Sequence, residues 1–75
     1  MIRIKDDFIE ESDIVLAAFN DCGKEIFLHF KSRNMVIYGP QQKGEIIPRQ
    51  RVITEAEYSK IKDYFAIDLK ARVVA

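Results

Sequence analysis

An aromatic ring, an imidazole and several cationic side chains follow one another in the middle of this 75-residue chain. If residues 25–31 form a strand, alternate side chains point to opposite sides of the sheet, so Phe27, His29 and Lys31 share one face. Aromatic rings stack on nucleobases and cations hold phosphates, which is how small sheets bind single-stranded nucleic acid. The pattern predicts a binding surface that consists of Phe27, His29, Lys31, Arg33, Arg49 and Arg51.

Carboxylates are concentrated near the start of the chain, at Asp6, Asp7, Glu10, Glu11 and Asp13. Their spacing lacks the Asp-x-Asp-x-Asp-Gly pattern of a calcium loop, so no metal site is predicted. A solvated acidic surface that keeps a strand edge from pairing is the simplest interpretation. The alternative is that Asp6, Asp7, Glu10 and Glu11 imitate a phosphate backbone, as in a small phage-type inhibitor of a nucleic-acid-binding protein.

The chain has few groups suited to enzymatic catalysis. His29 is its only histidine and Cys22 its only cysteine, and seven residues separate them. A nucleophile and its base must lie within hydrogen-bond reach, which this spacing in a hairpin does not imply. The three isolated glycines match no nucleotide-binding loop. We therefore predict a non-enzymatic protein without a metal or cofactor.

The net charge of zero conceals two segments of opposite sign. Residues 1–23 hold two basic and six acidic side chains, whereas residues 24–51 hold six basic and two acidic ones. Such a distribution bears on association rather than on fold. It suggests a two-fold dimer in which the acidic segment of one copy meets the basic segment of the other.

Length and composition indicate one domain over residues 1–75. Folding hides only roughly 60% of the surface of so short a chain, and small domains often gain stability by oligomerisation. A single cysteine excludes an internal disulfide. No apolar run approaches the roughly 18 residues of a membrane-spanning helix, and no secretory signal is visible. We expect no membrane partner and a cytoplasmic location.

The apolar run at residues 14–19 fits two structures. As a helix it would be capped by Ser12, carry one apolar stripe and end at Gly23. As a strand it would enter a turn at residues 20–23 and return as the aromatic and β-branched segment 25–31. The hairpin is favoured because a turn between two apolar runs explains both flanks, whereas the helix explains only one.

Other strand signals are shorter. Ile2 and Ile4 alternate with basic residues, which is typical of a half-buried strand. Residues 35–38 are apolar and end at a Gly-Pro pair. Residues 45–53 form a further candidate that must be an edge strand or bend at Pro48, because proline cannot donate a ladder hydrogen bond.

The clearest local signal is a capping box at Thr54 and Glu57, in which each side chain can bond to the backbone of the other residue. It predicts a helix over residues 54–67, with apolar residues at helical spacing. Residues 70–75 fit a last strand or a frayed end.

These elements predict an α+β fold: a small antiparallel β-meander of four to five short strands, with a barrel-like form as one possibility, followed by one C-terminal α-helix. The terminal helix must cover one face of the sheet. If it covers the face with Phe27, the predicted binding surface becomes core. The predicted core comprises Ile2, Ile4, Ile14, Leu16, Ile26, Leu28, Phe30, Val36, Ile37, Ile61 and Phe65.

Two hypotheses of function, from different classes, follow from these residues. The first is a small protein-binding or regulatory module that self-associates as a homo-oligomer, which small size and the scarcity of catalytic groups favour. The second is nucleic-acid binding through the basic and aromatic β-surface. A small phage-type inhibitor that acts through the acidic segment is a further alternative.

Overall fold

The computed structural model describes residues 1–41, 44, 47–68 and 73–74. Within these residues the chain forms a small α+β domain, and two short 3-10 helices, Glu11–Asp13 and Arg49–Arg51, connect its strands. The predicted class, with antiparallel sheets and a C-terminal helix, is confirmed. The elements in chain order are β1 (Ile2–Ile4), β2 (Asp7–Ile9), β3 (Ile14–Asn20), β4 (Glu25–Phe30), β5 (Val36–Tyr38), α1 (Glu55–Asp68) and β6 (Val73–Val74).

Residues 14–30 form the favoured β-hairpin and not a helix. β3 and β4 pair antiparallel, and residues 21–24 make the loop between them. Lys24 adopts a φ of 54°, the left-handed region that is uncommon for residues with a Cβ. A Cβ on Gly23 would lie 2.7 Å from Oε1 of Glu25, so this glycine lets the loop close tightly. The turn residues therefore decide between the two structures that the apolar run permits.

The strands form two sheets, neither of which closes within the described residues. β1 and β2 make a two-stranded hairpin, and the larger sheet has the order β5-β4-β3-β6. The short strand β6 runs parallel to β3, with Val73 and Val74 beside Ala17 and Ala18. The predicted meander therefore holds for β3, β4 and β5, and the barrel-like form is not found. Of the predicted tail, residues 70–72 and 75 lie outside the described residues.

A β-bulge at Val15 decides which side chains of β3 enter the core. Ile14 and Leu16 pair with consecutive residues of β4, so β3 carries one extra residue at this point. Strict alternation would have placed Leu16 on the same face as Ile14. The extra residue instead brings Ala17 and Phe19 to that face, where both are buried.

Helix α1 covers one face of the larger sheet, which we call the inner face. The ring of Phe19 lies 6.1 Å from that of Tyr58 and 5.8 Å from that of Phe65, measured between centroids. The β1–β2 hairpin adds Ile4 and Ile9 to the same core. The buried cluster comprises Ile4, Ile9, Ile14, Ala17, Phe19, Ile26, Leu28, Val36, Tyr38, Ile53, Tyr58 and Phe65.

Two predicted core residues, Leu16 and Ile37, neither belong to this cluster nor pack against it. The bulge turns Leu16 away, and Ile37 follows a buried residue in β5 and so must point to the opposite side of the sheet. Ile2, Phe30 and Ile61 are partly buried and pack against the cluster. The core prediction omitted Ile9, Ala17, Phe19, Tyr38, Ile53 and Tyr58.

The capping box is confirmed by both of its hydrogen bonds. The backbone N–H of Glu57 donates to Oγ1 of Thr54 at 3.1 Å, and the N–H of Thr54 donates to Oε1 of Glu57 at 2.8 Å. The helix begins at Glu55 because Thr54 is its cap. No helix in the described part of the chain is long and apolar enough to cross a membrane.

The chain bends at Pro48 and does not form a strand in the described part of residues 45–53. The 3-10 helix Arg49–Arg51 follows, and Val52 then makes one parallel bridge to Gly39. The N–H of Gly39 donates to the carbonyl of Arg51 at 3.3 Å, and its carbonyl accepts from Ile53 at 2.8 Å. Residues 45 and 46 of the predicted strand lie outside the described residues.

Candidate binding surfaces

The face of the larger sheet opposite α1, which we call the outer face, carries Leu16, Ala18, Phe27, His29 and Ile37. Strand register brings them together, because Leu16 pairs with His29, and Phe27 lies between Ala18 and Ile37. All five are half-buried, and the four apolar ones do not pack against the buried cluster. The helix therefore leaves the predicted residues Phe27 and His29 on the side of the sheet away from the core.

One side chain from a distant segment bounds the outer face at its β5 end. Ile47 is buried although it does not belong to the buried cluster. A Cβ on Gly39 would lie 2.7 Å from Cδ1 of Ile47 and 3.1 Å from Cγ of Glu25. Alternation along the strands places Glu25 and Gly39 on the outer-face side. Glycine at position 39 therefore makes room for Ile47 at that end.

The cations predicted to join Phe27 and His29 lie outside the strands that form the outer face. Lys31 is exposed just beyond the end of β4, and Arg49 is exposed in the second 3-10 helix. Arg51 is half-buried and contacts Asp7, with its Nε 3.4 Å from a carboxylate oxygen.

Arg33 also has an intramolecular partner. Its guanidinium carbon lies 4.3 Å from the ring centroid of Phe30, a cation–π contact. Phe30 packs against the buried cluster on the inner side. Of the six residues predicted as a binding surface, strand register places Phe27 and His29 on one face, and Arg33 and Arg51 have partners elsewhere in the chain.

The predicted acidic residues bond largely within the molecule. Oδ2 of Asp7 accepts from the hydroxyl of Tyr38 at 2.5 Å and contacts Arg51. Burial, and then the bond to Asp7, raises the pKa of Tyr38, so its hydroxyl remains a donor. Asp13 accepts from the backbone N–H of Ser32 at 3.2 Å and from its hydroxyl at 2.6 Å.

The remaining members of the acidic segment are closer to solvent. Asp6 is exposed and lies 3.8 Å from the guanidinium of Arg3, and Glu11 contacts the amino group of Met1 at 3.2 Å. Glu10 is exposed, and its carbonyl accepts a backbone bond at the first 3-10 helix. The two oppositely charged segments therefore meet inside one molecule, through the pair of Asp7 and Arg51.

A polar cluster that the sequence analysis missed connects the β3–β4 loop to α1. Oδ1 of Asp21 accepts from the hydroxyl of Tyr58 at 2.5 Å and from Nζ of Lys62 at 2.7 Å. The bond from Lys62, followed by that from Tyr58, lowers the pKa of Asp21. Tyr58 and Lys62 stand four residues apart, a spacing that puts them on one side of a helix. Only the fold reveals that a loop carboxylate faces them.

A groove of about 470 Å³ runs between β1 and α1. One wall is residues 1–5, every one of which lines it. Because alternate side chains of a strand point in opposite directions, an unbroken run of lining residues means that the strand presents its edge. The other wall is one side of the helix, formed by Glu57, Lys60, Ile61, Tyr64 and Phe65.

Cations outnumber anions around this groove. Lys60 is exposed on the helix wall. On the strand wall, Nε of Arg3 donates to the carbonyl of Lys5 at 2.6 Å, and Nζ of Lys5 donates to the carbonyl of Val52 at 2.6 Å. The one carboxylate among the lining residues belongs to Glu57, and it bonds to the N–H of Thr54 in the capping box. The first third of the chain is acidic overall, yet it contributes the basic residues Arg3 and Lys5 to this groove.

The described residues offer no arrangement for catalysis by Cys22 and His29. Cys22 is exposed in the hairpin loop, and His29 lies four residues beyond the start of β4. At roughly 3.3 Å per residue, four residues of strand span about 13 Å, well beyond hydrogen-bond reach. No group of three or more His, Cys, Asp or Glu side chains in this part of the chain could hold a metal ion.

No family model matches the chain, and neither a curated protein nor a solved structure is significantly similar to it. Only its own surfaces therefore bear on its function.

Proposed function

We propose that the chain is a small non-enzymatic protein-binding module that self-associates through its outer face. One observation carries the proposal: Leu16, Ala18, Phe27 and Ile37 form a contiguous apolar patch outside the buried cluster. Contiguous apolar patches mark sites of protein association more often than scattered apolar residues do. Phe27 lies at the centre of the patch, and phenylalanine is among the aromatic residues enriched in interfaces relative to the rest of the surface.

Charge makes a second copy of the chain the suitable occupant. A two-fold interface sets each patch against itself, so any formal charge in the patch would oppose a like charge nearby. The five outer-face positions hold no Asp, Glu, Lys or Arg. The neighbouring Glu25 accepts a hydrogen bond from Asn20 at the loop end of the hairpin. An apolar centre with polar groups at its margin is the usual composition of an interface.

The internal charge pairing favours this surface over an electrostatic dimer. Asp7 already contacts Arg51 and Tyr38, and Asp13 already bonds to Ser32. A partner copy would have to displace these bonds to use the same carboxylates. The outer face requires no such exchange, and it adds buried apolar area to a chain that hides little of its surface alone.

The test measures the oligomeric state of the full chain by sedimentation. We expect a concentration-dependent dimer that persists at about 1 M NaCl, where a Debye length of about 3 Å screens exposed charges. Phe27→Glu should abolish it by placing two carboxylates in the interface. Phe8→Glu is the matched control, because Phe8 is 66% exposed elsewhere on the surface.

A monomer at ~1 mM chain, or a dimer that salt dissolves, would overturn the proposal. So would a dimer that survives Phe27→Glu in a variant whose amide spectrum remains that of a folded chain. If Phe27→Glu does not fold, Ala18→Lys gives the same readout at a smaller side chain of the patch. Shifts of the Phe27 and His29 amides on adding single-stranded RNA, without self-association, would favour nucleic-acid binding instead.

A further inference from the structure

We propose that the groove between β1 and α1 binds an extended acidic peptide of a partner protein, which adds a strand to the edge of β1. The groove lies on the core side of the molecule, away from the outer face. Experiments on the groove and on the outer face can therefore give independent results.

The free edge of β1 is the first reason. β1 has a single neighbour, β2, and an antiparallel strand directs the backbone groups of alternate residues away from that neighbour. Within the described part of the chain, no backbone–backbone hydrogen bond joins residues 1–4 to anything outside the hairpin. An unpaired strand edge is a template for strand addition, in which main-chain hydrogen bonds supply affinity.

The dimensions of the groove suit a short extended segment. The four steps from Met1 to Lys5 extend at most about 13 Å at about 3.3 Å per residue, since only Ile2–Ile4 are strand and Lys5 has a φ of 55°. Eight helical steps from Glu57 to Phe65 extend about 12 Å along the other wall, at 1.5 Å per residue. A peptide of four or five residues in strand conformation would span both walls.

The lining defines the chemistry of that peptide. Ile2 and Ile61 are partly buried in the groove and pack on the core, so they offer an apolar floor to every second side chain. The exposed Lys60 stands on the helix wall, and Arg3 and Lys5 add positive charge on the strand wall, where each also donates to a backbone carbonyl. A segment that alternates apolar and acidic residues would place its apolar side chains on the floor and its carboxylates near the cations.

The same cations argue against a second copy of β1 in this position. Two β1 strands paired antiparallel would bring Arg3 and Lys5 of each copy close to those of the other. Like charges opposite one another in a sheet are destabilising. An acidic strand from a different protein removes this repulsion.

The experiment is a titration of the isotope-labelled full chain with a blocked heptapeptide of alternating valine and glutamate, followed by amide shifts. We expect shifts confined to residues 1–5 and to the helix near Ile61, and slower hydrogen exchange along β1. A peptide of alternating valine and lysine should bind at least about tenfold more weakly. No shifts at ~1 mM peptide, equal affinity for both peptides, or shifts centred on the outer face would overturn the proposal.

A charge reversal localises the contact. Lys60→Glu should weaken binding about fivefold or more, because the attraction between Lys60 and a peptide carboxylate becomes a repulsion between two carboxylates. Lys31→Glu is the matched control, since Lys31 is exposed beyond β4 and does not line the groove, and it should leave the affinity unchanged. Equal weakening by both variants would indicate only a response to net charge and would overturn the proposed site. Neither variant should alter the oligomeric state.

Discussion

The two faces of the larger sheet carry alternate residues of the same strands but differ in how deeply these residues are buried. On the inner face, Ile26 and Leu28 are fully buried beneath α1 and the β1–β2 hairpin. On the outer face, Phe27 and His29 alternate with them and stay half-buried. Composition hardly separates the two sets, since both include large apolar side chains. What separates them is the set of elements that pack on each side.

The largest expected effect contrasts one phenylalanine from each side of this comparison. Phe65 is fully buried between Phe19 and Tyr64, so Phe65→Ala should cost about 3–5 kcal/mol of unfolding free energy. Phe27→Ala removes the same atoms from a half-buried site and should cost only ~1 kcal/mol in the monomer. Urea denaturation at a chain concentration below that of self-association measures both.

Equal costs for these two substitutions would mean that the outer face is as tightly packed as the core. If Phe65→Ala is too unstable to fold, Phe65→Leu gives a smaller cavity and retains the contrast with Phe27→Leu.

The next effect concerns polar groups at the margin of the inner face. Tyr38→Phe leaves the half-buried carboxylate of Asp7 with Arg51 alone, and should cost about 1.5 kcal/mol because the lost bond has a charged acceptor. Tyr58→Phe is the matched control. It removes a bond to the more exposed Asp21, which keeps Lys62. Thermal unfolding compares the two, and a larger loss from Tyr58→Phe would contradict the ranking.

The smallest effect is a pH dependence at the β3–β4 loop, where Asp21 contacts side chains of α1. The bonds from Lys62 and Tyr58 hold the pKa of Asp21 below its ordinary value of 3.8 in the folded chain. The carboxylate therefore contributes stability above about pH 3.8, and the contribution disappears as the pH falls through the lower folded value. Asp21→Asn should weaken the loss of stability between about pH 4 and pH 2.

Denaturation midpoints at the two pH values measure this difference. Lys62→Met removes the principal partner of Asp21. It should reduce the pH dependence of stability, as Asp21→Asn does. An unchanged profile in both variants would show that the contact does not couple to folding.

Local signals in the sequence were sufficient for several elements. The capping box of Thr54 and Glu57 involves residues three apart, so its geometry is fixed within one helical turn. The turn residues at 20–23 likewise decide the path of the chain locally. Both were predicted from the sequence because each depends on few neighbours.

The bulge at Val15 and the groove depend on contacts that no local pattern encodes. One extra residue in β3 reverses which side chains enter the core, and Phe19, which it turns inward, packs against Tyr58 and Phe65 of α1. The groove combines residues 1–5 with residues more than fifty positions later. The pairing of Asp7 with Arg51 also joins distant segments. Charge counts along the chain suggested that the two charged segments pair with other molecules. In the fold, Asp7 and Arg51 instead pair within one molecule.

The bonds of Gly39 also bear on how this chain resists fibrillar aggregation. The segment that contains Arg51 and Ile53 occupies both backbone groups of Gly39, and β5 itself has only three residues. An incoming chain at that edge would find the backbone groups of Gly39 already bonded, so its ladder could not continue past β5. The proposed self-association through the outer face would then join copies face to face, without extending the sheet at the β5 edge.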